Sequence, residues 1–108
     1  MTIPYDDFAK LEITIGKIVE AEEIPKSKKL LKLKVDIGET EPRQLVAGIK
    51  QQYAPADLIG RLVVVLANLQ PAKLMGVESR GMILAADLDG KAILLQPDSE
   101  VPPGTRVR

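Results

Sequence analysis

The sequence predicts an all-β domain: a small barrel of about five short strands, with one short helix between the third and fourth. Three observations carry this. Apolar and β-branched residues come in short, evenly spaced runs broken by Gly, Pro and Asp. The clearest run, Leu31 to Ile37, alternates strictly: Leu31, Leu33, Val35 and Ile37 on one face, Lys32, Lys34 and Asp36 on the other. Helix signals are confined to two short stretches. At 108 residues the chain has room for one hydrophobic core, so residues 1–108 read as one domain.

Each element follows from its residues. Asp6 to Leu11 reads as a short helix, with Asp6 or Asp7 capping the free N–H groups of its first turn. Ile13 to Ile24 is a long strand, and Gly16 within it predicts a bulge or bend. PKSKK, Pro25 to Lys29, is a loop, and the alternating run follows it as the second strand. Gly38 to Pro42 turns the chain into a third strand, Arg43 to Ile49. Gln51 to Ile59 holds a helical candidate, with Pro55 near its first turn and Gly60 just past its end. Arg61 to Ala67 is apolar on both faces, as a central fourth strand would be. Gly81 to Asp87 is a fifth, and Asp89-Gly90 is a favoured hairpin turn into Lys91 to Gln96. Three strands, a helix, then two or more strands fit an OB-type Greek-key barrel. Another small barrel or a sandwich fits the same pattern.

Composition excludes several chemistries. Cys is absent, which removes disulfides and thiolate metal sites; His is absent, which removes the usual zinc ligand and the usual general base. Asp6-Asp7 and Glu22-Glu23 are adjacent pairs whose side chains point apart, a poor start for a shared proton or metal. No catalytic constellation, cofactor site or metal site is expected. No apolar stretch approaches a membrane span, and no basic-then-apolar leader is visible. Fifteen basic and fifteen acidic residues cancel, so an argument for a polyanionic partner must be local.

Two stretches make that local argument. In PKSKKLLKLK, Lys26, Lys28, Lys29, Lys32 and Lys34 fall within nine residues with no acid among them. They could form a basic ridge that meets successive phosphates, or a solvated strand face on which Lys discourages edge pairing. The acids Asp87, Asp89, Asp98 and Glu100 lie far from this run in sequence, and separation in space would make the molecule bipolar. In the second stretch, Asn68 to Met82, the chain offers Asn68, Lys73, Ser79 and Arg80 between two strands. These could grip a phosphate backbone. They could equally belong to a structural hairpin in which Asn68 and Ser79 bond main-chain groups, with Gly76 and Gly81 bending the chain or letting a partner approach. Met82 reads as core. Only Tyr5, Phe8 and Tyr53 are aromatic, with Phe8 read as core, so no platform for stacking successive bases exists and any nucleic acid would be read by backbone and shape.

DDFAKLEITIGKIVEAEEI, KKLLKLKVDIGE, LVAGI and VVVLANLQPAKLMGVESRGMILAA together resemble the tRNA-binding domain of the methionyl-tRNA synthetase C-terminal type. The same domain occurs as a free-standing protein or β subunit, and in endothelial monocyte-activating polypeptide. The resemblance runs from Asp6 to Val107, and NLxPxKxxGxxSxGM, from Asn68 to Met82, is its most specific part. It implies an OB fold with added N- and C-terminal segments, homodimers, a cytoplasmic location and no catalysis. It also implies shape-based tRNA binding in the service of a methionyl-tRNA synthetase. The family's Lys, Asn, Lys and Ser positions fall on Lys29, Asn68, Lys73 and Ser79. Lys28, Lys32 and Arg80 join Lys29 and Lys73 as expected phosphate contacts, with Arg43 a further candidate. Two departures bear on that set: Ala47 stands where many relatives carry Ser or Thr, and Ala72 where many carry a basic residue. A relative that looks like a secretion chaperone suggests a rival role, with Leu74, Met75 and Val77 docking a peptide or subunit.

Overall fold

The computed structural model describes all 108 residues, Met1 to Arg108. In chain order they form α1 (Tyr5–Ala9), β1 (Ile13–Glu23), β2 (Leu31–Asp36), β3 (Arg43–Ala47), α2 (Pro55–Leu58), β4 (Leu62–Leu66), β5 (Ala72–Leu74), β6 (Val77–Ser79), β7 (Met82–Ile83), β8 (Ala85–Leu88) and β9 (Lys91–Leu94). Five strands make one antiparallel sheet in the order β3-β2-β1-β4-β7. β4 lies beside β1, not β3, which is the crossing a Greek key requires. The sheet curls until the residues before β7 reach β3, where the Arg80 amide donates to the Gln44 carbonyl at 3.0 Å. The result is a nearly closed OB-type barrel.

The alternating pattern of β2 sets the inside of that barrel. Leu31, Leu33 and Val35 are fully buried, with Ile18, Leu45, Val63 and Val65 from the neighbouring strands. α2 closes one end: Leu58 is fully buried among them. Pro55 starts this helix, and Gly60, at φ +88°, turns the chain so that its amide reaches the Ile18 carbonyl at 2.8 Å. The helix is shorter than the stretch from Gln51 to Ile59 suggests.

β1 outruns β2, and its leading half would leave a bare edge. The C-terminal tail covers it. The Gly104 amide donates to the Ile15 carbonyl, the Ile15 amide to the Thr105 carbonyl, and the Val107 amide to the Ile13 carbonyl, at 2.7, 2.8 and 2.9 Å.

Several details depart from the sequence reading. α1 has Pro4 at its N-cap and no side-chain cap, so Asp6 and Asp7 lie within the helix and do not cap it. The bulge in β1 falls at Val19, between the pairs Ile18–Val35 and Glu20–Lys34. Gly16 instead allows close packing: a Cβ there would lie 2.5 Å from Val35 Cγ1. The fifth strand breaks at Leu84, where the chain leaves β4 and pairs as β8 with β9. Asp89 and Gly90, at φ +50° and +84°, form the expected turn between β8 and β9. Met82 is 44% exposed and lies outside the core, because the even-numbered side of β7 faces out of the barrel. Phe8 is only half-buried, with its ring against Tyr5.

Candidate nucleic-acid interface

The stretch from Asn68 to Met82 is a hairpin arm. β5 and β6 pair antiparallel, with Lys73 opposite Glu78, and Met75 and Gly76 turn between them at φ +51° and +78°. Asn68 anchors the arm at its start. Its carbonyl oxygen accepts from the Glu12 amide at 2.8 Å, and its NH₂ donates to the Lys10 carbonyl at 2.7 Å. Ser79 anchors it at its end. Only 5% exposed, its hydroxyl accepts from the Val46 amide and donates to the Gly81 carbonyl, both at 3.0 Å. Gln44, unremarked in the sequence, adds a third tie by donating to the Glu78 carbonyl at 2.9 Å. The Ser79 hydroxyl thus satisfies an amide of β3 where the barrel closes without a complete backbone ladder.

This geometry yields a stability prediction. Ser79→Ala leaves the Val46 amide buried and unpartnered, which should cost about 1–3 kcal/mol. A urea titration with an unchanged slope would report it; a midpoint equal to that of the parent would show that the hydroxyl is not a tie.

The sheet rearranges the charges that the sequence sets in a row. Lys34 lies opposite Glu20 and Lys32 opposite Glu22, and Lys32 Nζ sits 2.5 Å from the Glu22 carboxylate. The acid-free run therefore becomes a mixed face, because β1 lays its acids against the basic strand. Arg43 is also occupied. Its guanidinium pairs with Glu39 at 2.6 Å and donates to the Ala67 and Arg80 carbonyls, stapling the barrel seam. Arg80 is exposed, but it shares a depression with Glu39 and Glu41.

Lys28, Lys29 and Lys73 remain: all are exposed, and none has a carboxylate within 4.0 Å. The loop before β2 and the arm meet. Lys26, Lys28, Lys29 and Leu30 line one depression with Met75 at the arm's tip, two residues from Lys73. The eight residues expected to touch phosphate thus divide. Lys28 and Lys29 line one basic depression, Lys73 stands unpaired on the arm with Glu78 opposite it in the register, Arg80 lies beside two acids, and Lys32, Arg43, Asn68 and Ser79 are bonded within the chain. No three His, Cys, Asp or Glu side chains come together as a metal site, and no helix is long and apolar enough to cross a membrane.

A nearly closed OB-type barrel with a basic loop beside a hairpin arm that carries an unpaired lysine defines a class: small OB-fold barrels, which bind oligonucleotides or oligosaccharides on one face and its flanking loops. Residues 13–106 match the family described as "Putative tRNA binding domain", and the chain belongs to that family. The methionine–tRNA ligase of Archaeoglobus fulgidus is 64% identical over 105 residues, which are 97% of this chain and 16% of that protein. The chain therefore spans a small fraction of the ligases it matches. A crystallised MetRS related protein from Pyrococcus horikoshii superposes with a TM-score of 0.92 at 41% identity, covering 100% of this chain and 99% of that one. The chaperone CsaA from Bacillus anthracis superposes with a TM-score of 0.90 at 34% identity and full coverage of both chains.

Proposed function

We propose that residues 1–108 form one non-catalytic module that binds tRNA by backbone and shape. The observation that carries this is the set of exposed, unpaired lysines, Lys28 and Lys29 on the loop before β2 and Lys73 on the arm that meets it, on a member of the tRNA-binding domain family. Lysine is a compact point charge on a flexible stem, suited to phosphates whose spacing is set by a folded RNA. Asn68 and Ser79 act one step back: they hold the arm that presents Lys73. Arg80, Lys32 and Arg43 are secondary contacts, since each would first have to shed or outcompete a neighbouring carboxylate.

The module serves a methionyl-tRNA synthetase, as its β subunit or as a domain of its chain, and works in the cytoplasm. Tethering raises the local concentration of tRNA near a catalytic site without any new contact to that site. It acts as a homodimer. The outer face of the β8–β9 hairpin supports this, because Leu88, Ile93 and Leu95 are 59%, 40% and 42% exposed on one side of it.

Anisotropy titration of labelled tRNA at several salt concentrations tests the reading. Binding should weaken with a log–log slope of about −2 to −5, as a few phosphate contacts dictate. Unlabelled tRNA should compete better than a plain RNA duplex or single-stranded DNA. Equal competition by all three would reduce the surface to a generic polyanion patch. A second reading, docking of a peptide or subunit, is favoured by the exposure of Leu74 and Met75, 40% and 56%, and by the CsaA likeness. Salt separates the two, because apolar docking does not weaken as salt rises.

A further inference from the structure

The barrel carries an apolar trough that phosphate binding does not use. It measures about 350 Å³ and lies between the end of β3 and the underside of the arm. Val46, Ile49, Leu69, Leu74, Met82 and Ile83 are among the apolar residues that line it. Leu69, Leu74 and Met82 are 40–45% exposed, a free energy of hydration that a monomer gains nothing by keeping. The trough adjoins the basic depression. Leu30 of that depression lies against Gly48 of the trough, and Leu74 and Met75, adjacent in the chain, line one each.

An apolar slot beside a cluster of free lysines is complementary to a flat apolar face joined to an anion, and the face of a nucleobase with its phosphate is such a pair. We propose that the trough takes the base of one unpaired nucleotide, whose phosphate rests on Lys28 and Lys29. The inference rests on the RNA-binding reading above and adds to it. A paired base cannot enter, because its faces are stacked against its neighbours within the helix; an unstacked base can be splayed out. Aromatic stacking is not needed. Met82 places a polarisable thioether in the slot, a favourable neighbour for a ring, and the aliphatic walls exclude water from the ring faces. The trough's polar side chains are few. The Ser79 hydroxyl is already bonded twice, which leaves the Gln70 amide as the free one, so all four bases should be accepted nearly alike. The scarcity of aromatics therefore does not confine this protein to backbone contacts.

RNA hairpins that differ only in one bulged nucleotide test the proposal, titrated by anisotropy beside tRNA at one salt concentration. The bulged hairpin should bind about 3- to 10-fold tighter, the range a sulfur–ring contact supplies. Ala72→Phe fills the trough from an exposed strand position, and Met82→Ser strips its exposed thioether. Either should bring the ratio of the two affinities towards one, and thermal melts confirm that the variants fold. Should Ala72→Phe fail to fold, Met82→Ser supplies the ratio. Equal binding of plain and bulged hairpins, with tRNA still bound, would sink the trough proposal and leave the tRNA reading standing. Loss of binding to every RNA, tRNA included, would sink both. An apolar peptide that occupies the trough while the bulge preference survives Ala72→Phe would make it a peptide groove.

Discussion

Lys29→Glu together with Lys73→Glu is expected to weaken tRNA binding about 10- to 100-fold, alike for tRNAs of different sequence, and to flatten the log–log salt slope by about 2. Both side chains are exposed, neither has an ion-pair partner, and they stand on the two elements that meet at the basic depression. Reversal removes two attractive phosphate contacts and installs two repulsive ones. The uniformity matters as much as the size, since phosphate contacts position the RNA without reading its sequence. Lys32→Ala supplies the contrast. Its ammonium is already paired with Glu22, so its loss should cost clearly less. The same titration, run on two unrelated tRNAs, measures all of this. Unchanged affinity in the double variant would show that the contact surface lies elsewhere.

Gly81→Ala is the second large effect, and it acts on stability. Gly81 is buried where the arm re-enters the barrel, at φ +144°, a conformation that side-chain-bearing residues rarely adopt. A Cβ there would lie 2.9 Å from the Leu66 carbonyl oxygen and 3.1 Å from Leu45 Cδ2. The backbone oxygen belongs to β4 and cannot swing aside as a flexible side chain would. Strain and overpacking together should cost about 2–4 kcal/mol, a fall in melting temperature of about 10–20 °C for a domain of this size. Gly76→Ala is the comparison. Gly76 also has positive φ, but its Cβ would meet nothing within 4 Å, so only the backbone preference is lost, about 1–2 kcal/mol. Equal melting temperatures for the two variants would show that the packing at Gly81 yields.

The two glycines look alike in the sequence, both inside one motif. What distinguishes them is the approach of β4, which lies outside the motif. The lysine run shows the same limit. Lys32 reads as free because the nine residues from Lys26 to Lys34 hold no acid; β1 pairs antiparallel beside it and delivers Glu22. Asn68 and Ser79 could be read as grip or as hairpin anchors. Their hydrogen bonds, to residues as distant in sequence as Glu12 and Val46, place them as anchors. Met82 is apolar and sits in a strand, which suggests core, but its side of β7 points out of the barrel into the trough.

By itself the sequence determined what depends on near neighbours: the period-two face of β2, the turn at Asp89-Gly90, the Gly60 turn that ends α2, and the absence of His and Cys chemistry. Periodicity and turn preference are local properties of a chain, and a motif is a local string. Tertiary structure alone decided which cations stay free, which polar groups are spent on the barrel seam, and where an apolar surface remains uncovered. Each of those depends on the pairing of residues tens of positions apart, and only the register of the strands supplies it.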